Sequence, residues 1–168
     1  GVRAPRSEGD EWVVVEVENR TPVPFAVAFV IRPFVADGVG AVSEVTVEPV
    51  DGGRGRDVAH LVRVDGRPAV VLPRRPARLA AGDDEHGDAV HAVTDGSAGA
   101  ELVAARCPDG LATLALVLPV PHTATLRVAL PVGEVGAGPV GYPSVLPDAA
   151  TVAAGIGGLT VFGARGQS

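Results

Sequence analysis

The chain has 168 residues and a formal net charge of −6, and all of its cationic side chains are arginines, because it contains no lysine. This acidic balance argues against nucleic acid as a partner, since phosphate contacts need a basic face. The lack of lysine excludes P-loop nucleotide hydrolysis, Schiff-base chemistry and the attachment of pyridoxal phosphate. No apolar stretch reaches the roughly 20 residues that cross a bilayer, so no membrane partner is expected.

The hydrophobic residues favour strands over helices. They make up 46% of the chain and are mainly Val, Ala and Leu, whereas aromatic residues are only 4%. Valine is branched at Cβ and fits the pleated surface of a sheet better than a helix. The 22 glycines and 15 prolines lie between apolar runs rather than in tracts. One domain of many strands joined by turns is therefore expected.

The strands can be followed along the chain from their alternation. Residues 1–10 are polar and predict a flexible lead-in. In the run that follows, Val13, Val15 and Val17 lie on one side and glutamates on the other, which is typical of a half-buried strand. Asp65-Gly66 predicts a tight hairpin with both turn residues at positive φ. Further strands are predicted at residues 25–32, 42–47, 61–64, 69–72, 90–94, 100–104, 111–118 and 123–130.

Eight or nine short strands with no helices between them predict an all-β fold, an antiparallel β-sandwich over residues 11–135. The segment that contains Arg74, Arg75 and Arg78 is interrupted by prolines and predicts an extended edge. Residues 136–168 predict a linker. It contains a short helix at 148–154, which starts after Pro147-Asp148 and stops at Gly155, and a final strand at 159–162.

Two matches to enzyme motifs have the wrong context. Residues 136–141 have the G-x-G-x-x-G spacing, but Pro139 and Tyr142-Pro143 forbid the helix that a dinucleotide fingerprint requires. Residues 95–99 resemble a nucleophile elbow but lack its first glycine, which favours a turn. The single Cys107 cannot form an internal disulfide and is interpreted as a structural thiol, which leaves the cellular compartment open. No catalytic residue and no cofactor are predicted.

The densest polar cluster allows a metal site as an alternative to a solvated loop. Carboxylates and imidazoles can together bind a divalent cation. The spacing matches neither a calcium loop nor H-E-x-x-H, which favours the solvated loop. The six candidate ligands are Asp83, Asp84, Glu85, His86, Asp88 and His91. The other two histidines, His60 and His122, are isolated and predict strand-edge or turn positions.

A ligand-binding surface is a further alternative. Aromatic side chains could stack on a sugar, although the chain offers few of them, and arginine forks suit carboxylate or phosphate groups. The candidate residues are Trp12, Tyr142, Arg67, Arg74, Arg75 and Arg78.

Three segments carry a family resemblance. Residues 15–33, which begin Val15-Glu16-Val17-Glu18-Asn19, resemble part of large actinobacterial proteins of unassigned role, and residues 64–69 and 119–130 resemble later parts of the same region. Those proteins resemble glucoamylase-like and glycogen-debranching-like glycoside hydrolases. In such hydrolases an N-terminal β-sandwich precedes a helical barrel that carries the catalytic acids. The resemblance covers about residues 11–155 and implies that the partner is the barrel of the same chain, with carbohydrate as a ligand of the whole protein.

Taken together, these features predict a domain that is not itself an enzyme. The chain begins at Gly1 and contains no methionine, from which we expect a piece of a longer protein. Arginine in place of lysine, with abundant Ala, Val, Gly and Pro, is typical of a high-GC bacterial genome. The expected function is that of a non-catalytic accessory or interaction domain. A free-standing module that binds a ligand or glycan is the alternative.

Overall fold

A computed structural model describes residues 11–35, 38–52, 58–101, 104–132 and 140–143. Within these ranges the chain forms antiparallel sheets and one short helix, and the predicted all-β sandwich is confirmed. No helix in the described ranges is long and apolar enough to cross a membrane. The strands are β1 (Glu11–Glu18), β2 (Phe25–Ile31), β3 (Phe34–Val35), β4 (Gly38–Val39), β5 (Glu44–Val50), β6 (Ala59–Val64), β7 (Arg67–Leu72), β8 (Arg78–Gly82), β9 (Ala104–Arg106), β10 (Thr113–Val120) and β11 (Thr125–Val132), and the helix is α1 (Ala89–Thr94).

Two sheets build the sandwich. The larger sheet has six strands in the order β1-β11-β7-β6-β5-β9, and the smaller has three in the order β2-β10-β8. Their strands pair antiparallel throughout the described ranges. These nine strands match the predicted eight or nine, and β3 with β4 adds a two-residue pair. The chain passes between the sheets six times, after β1, β2, β7, β8, β9 and β10.

The core lies between the sheets and is centred on β10. Leu114, Leu116 and Leu118 alternate along this strand, are fully buried and pack with valines and leucines of the larger sheet. Phenylalanines of β2 lie only at the margin of this cluster. Aliphatic side chains therefore fill the core, as the composition predicts. Each fully buried leucine contributes about 1.5–3 kcal/mol relative to an exposed one.

Residues 90–94 form α1, and the predicted strand there is wrong. Asp88 caps the helix, because its carboxylate accepts a hydrogen bond of 3.0 Å from the N–H of Val90. Ala89 then packs against Ala80 and Ala115 on the outer side of the smaller sheet. A short run of small residues behind a good N-cap can form its backbone hydrogen bonds within a helix, and this helix covers the outer side of the smaller sheet. The sequence predicts a strand here because alanines and valines alternate in this segment.

Most of the other predicted strands and turns begin and end within a few residues of the observed ones. Asp65 and Gly66 have φ of 50° and 76°, so the tight hairpin between β6 and β7 is confirmed. The strand predicted at 42–47 lies at Glu44–Val50, and the one predicted at 100–104 lies at Ala104–Arg106. The lead-in at 1–10, the helix at 148–154 and the strand at 159–162 lie outside the described residues.

Asn19 joins two of the crossovers at one end of the sandwich. Its side-chain amide is buried and donates to the carbonyls of Val23 (2.9 Å) and Val120 (3.0 Å). Its Oδ1 accepts from the backbone N–H and the hydroxyl of Thr21 at 2.8 and 2.7 Å. The backbone N–H of Asn19 donates to Ala124 at 2.9 Å. The turn after β1 is thereby tied to the turn between β10 and β11.

We predict that Asn19→Ala lowers the free energy of unfolding by about 2 kcal/mol or more, because it leaves the carbonyl of Val120 without its donor. Urea denaturation measures this loss. Arg20→Ala is the matched control, since Arg20 is 81% exposed in its side chain and makes only a surface ion pair. A loss of equal size in both variants would contradict the assigned role of Asn19.

Candidate functional site

Two of the candidate arginines lie on the crossover from β7 to β8, and a third is the first residue of β8. One guanidinium nitrogen of Arg74 donates to the carbonyl of Pro119, near the end of β10, and one of Arg75 donates to the carbonyl of Ala100. The N–H of Ala77 donates to Val117 at 2.9 Å. Proline at positions 73 and 76 favours an extended path and removes two backbone donors. The crossover is thus held against β10 and against the loop that follows α1.

Arg78 begins β8 and lies beside the same loop. Its Nη1 lies 3.9 Å from the position that a Cβ on Gly96 would occupy. The N–H of Leu79 donates to Gly99 at 2.9 Å, which holds the loop along the edge of β8. Arg75 and Arg78 therefore both border residues 96–100. Both are exposed, whereas Arg74 is half-buried.

These three arginines and Arg67 differ from the others in the described part of the chain in having no carboxylate partner there. Five arginines form ion pairs with Glu or Asp at the surface: Arg20, Arg32, Arg63, Arg106 and Arg127. The four without one among the described residues are Arg67, Arg74, Arg75 and Arg78. Arg67 lies at the other end of β7, next to the β6–β7 hairpin.

The two candidate aromatic residues pack together on the outer face of the larger sheet. Tyr142 is only 6% exposed and, with Trp12, covers Ala59, Leu61 and Val71 among the buried residues of that face. The Tyr142 hydroxyl donates to the carbonyl of Arg127 at 3.0 Å. The tyrosine ring thus covers small sheet residues instead of forming an exposed platform for a sugar. The candidate ligand set is divided among this face, the hairpin and the crossover.

The acidic loop before α1 is organised by Asp83. Its Oδ1 accepts from the backbone N–H of His86 (2.7 Å), from the imidazole Nδ1 of His86 (2.8 Å) and from the N–H of Glu85 (3.1 Å). The backbone and side-chain hydrogen bonds from His86 lower the pKa of Asp83. The carboxylate of Asp83 in turn raises the pKa of His86. This pair forms a closed turn at the surface.

The other candidate metal ligands point to separate partners. Asp84 accepts from the thiol of the buried Cys107 at 3.4 Å, and Asp88 caps α1 and pairs with Arg32. Partial burial acts to raise the pKa of Asp88. The hydrogen bond from Val90 and the pairing with Arg32 together outweigh this effect, so the pKa is lowered. In the described part of the chain, no group of three or more His, Cys, Asp or Glu side chains is arranged to hold a metal ion. The metal site stays a prediction.

A buried histidine lies close to the crossover. His60 is on β6, on the same face as the core residue Val62, and is only 5% exposed. Its Nδ1 is buried without a hydrogen-bond partner in the described part of the chain. Burial lowers the pKa of His60, and the nearby charge of Arg75 lowers it further. The sequence predicts a strand-edge or turn position for His60. The signal for burial was its position between the apolar residues Ala59 and Leu61, at the start of the strand predicted at 61–64.

Folding stability should therefore decrease with acidification in the range set by His60. The unfolded state binds a proton near pH 6.5 and the folded state only at lower pH, so stability is complete above 6.5 and falls as the pH drops towards the folded pKa. We predict that His60→Leu removes this part of the pH dependence. Urea midpoints measured from pH 8 to pH 5 test it (about the range in which histidine titrates). Parallel profiles for both proteins would contradict the assignment.

Comparison of the chain with protein-family models finds no match, and comparisons with curated proteins and with solved structures find none either. The resemblance to the N-terminal domains of glucoamylase-like proteins therefore stays a prediction.

Proposed function

We propose that this chain is a non-catalytic β-sandwich interaction domain of a larger bacterial protein, and that it packs against the rest of that protein along β1. One observation carries the proposal. Val13 and Val15 are 51% and 36% exposed, although their partners across the strand pair, Leu130 and Val128, belong to the core. Two valines on the core-facing side of a sheet are thus left uncovered.

The backbone of β1 is suited to contact with another element. This strand is the end of the larger sheet and pairs with β11 in an unbroken register from Glu11 to Glu18. No described strand lies on its other side. Exposed edges are usually protected by charged side chains, above all lysine, by proline or by a bulge. β1 has glutamates at positions 11, 16 and 18 but no lysine, proline or bulge, so its stretch from Trp12 to Val15 has no such protection. A free edge beside exposed valines favours a packing surface over a solvated one.

The neighbouring edge of the smaller sheet extends this surface. β2 is an end strand as well, because it pairs only with β10 among the described strands. The short turn at residues 19–24 connects it directly to β1, so both free edges lie on one side of the sandwich. Val30 faces away from the core, because Phe29 and Ile31 on either side of it pack against the core, so β2 contributes its backbone edge to the contact and not this side chain. The proposed contact therefore includes the ends of both sheets.

The resemblance described above supports a particular parent. In glucoamylase-like and debranching-like hydrolases, a β-sandwich packs beside a helical barrel, and the catalytic acids lie in the barrel. On this proposal the partner of β1 is such a barrel, the whole protein acts on carbohydrate, and the sandwich contributes no catalytic residue. Its own acidic side chains serve as caps and ion-pair partners at the sites described above.

An immunoblot of the source organism tests the larger parent. With an antibody against this domain, we expect one band well above the 16.9 kDa of the chain. A single band at that mass would overturn the proposal and favour a free-standing binding module.

Paired valine substitutions test the surface. We predict that Val13→Thr with Val15→Thr lowers the melting temperature of the parent protein but leaves that of the 168-residue chain unchanged, because isosteric polar changes at exposed sites cost little by themselves. Val39→Thr with Val58→Thr is the matched control, at 71% and 57% exposure on other elements. In hydrogen exchange, the β1 amides that point away from β11 should be protected only in the parent. Equal exchange in parent and isolated chain would rule out β1 as the contact.

A further inference from the structure

We propose that Arg75 and Arg78, with Arg74 beside them, form a binding site for a polyvalent oxyanion, a group that carries phosphates or several carboxylates. This site is independent of the packing surface on β1, because it lies at the β7–β8 crossover and the loop of residues 96–100. It is also narrower than the set that the sequence predicted. Arg67 and the two aromatic residues lie elsewhere and do not contribute.

The site concentrates positive charge. The chain carries a net charge of −6, and five of its six other described arginines are paired with carboxylates, Arg67 being the exception. The three arginines of the site lie within a stretch of five residues, and none of them forms an ion pair with a described carboxylate. In the adjoining loop, Asp95 accepts from the N–H of Ser97 (2.9 Å), and Glu101 forms no ion pair with a described arginine. A bound anion would provide the missing counter-charge.

Backbone contacts orient two of the guanidinium groups. Arg74 and Arg75 each use one guanidinium nitrogen on a main-chain carbonyl, that of Pro119 and that of Ala100. A guanidinium has five N–H donors in a fixed plane, so one such bond orients the group and leaves donors for a ligand. Arg75 and Arg78 are both exposed along the same loop. Pre-oriented forks that share one border suit a ligand with more than one oxyanion group.

The charge of Arg75 also acts on a buried histidine. Burial lowers the pKa of His60, and the positive charge of Arg75 lowers it further. Because the negative charge of a bound anion would oppose that of Arg75, binding there should raise the pKa of His60. This provides a signal inside the protein for occupancy of a surface site.

Calorimetric titration of the 168-residue chain tests the proposal, with tripolyphosphate and citrate as probes at physiological ionic strength. We expect saturable binding of at least one probe, and a loss of affinity of about tenfold or more in Arg75→Gln with Arg78→Gln. Arg20→Gln with Arg106→Gln is the control, because it removes the same charge from two exposed, ion-paired arginines. Its affinity should stay within about twofold, as expected when only distant screened charge changes.

The outcomes separate the alternatives. Tighter binding of tripolyphosphate supports a phosphate ligand, and tighter binding of citrate supports a carboxylate ligand. Absence of saturable binding by either probe overturns the proposal, and so do equal losses in both pairs of variants, which would reveal general charge attraction.

A second measurement serves if Arg75→Gln with Arg78→Gln fails to fold in far-UV circular dichroism. The pKa of His60 in the unaltered chain, followed by NMR, should then rise on saturation with the probe. If the pKa of His60 is unchanged at saturation, the anion binds elsewhere, and the proposed site is overturned.

Discussion

The structure depends on the burial of β10 from both sides. Its leucines at 114, 116 and 118 pack into the larger sheet, and on the opposite face Ala115 packs beneath α1, where the hydroxyl of Thr113 accepts from the N–H of Ala89 at 3.0 Å. β10 is the middle strand of the smaller sheet, so it sets the positions of β2 and β8. Because the core is built from aliphatic side chains, many small van der Waals contacts stabilise it, where other proteins use a few large aromatic side chains.

Polar groups hold the ends of the sandwich, where the chain leaves one sheet for the other. Asn19 satisfies backbone groups of two crossovers, and Arg74 and Ala77 tie a third crossover to β10. These contacts have different consequences for function. The amide of Asn19 is fully used inside the protein, whereas the arginines use one nitrogen on the backbone and retain donors that face solvent. Both sets of contacts lie at the C-terminal end of β10, at Pro119 and Val120, but only the arginines keep donors for the proposed ligand.

Both proposed surfaces are places where the fold leaves a physical requirement unmet. On β1, valines on the core-facing side are uncovered and a strand edge is unpaired; at the crossover, cationic groups have no counter-charge among the described residues. The acidic loop differs from both. Asp83, His86 and Asp88 satisfy one another or nearby backbone groups, so this cluster is explained as a turn and a helix cap.

Alternation of valines, turn dipeptides and the scarcity of aromatic residues determined from sequence alone that the chain is an all-β sandwich, and they placed the hairpin at Asp65-Gly66. These are local properties, since period two and positive φ depend on a few adjacent residues. Only the tertiary structure decided that residues 89–94 are a helix, that His60 is buried, and that Tyr142 covers a sheet face. It also decided which of the described arginines lack a carboxylate partner among the described residues. The physical reason is that burial and ion pairing are set by residues distant in sequence, such as Arg127 with Glu16 or Arg106 with Glu44, and local pattern carries no record of such pairs.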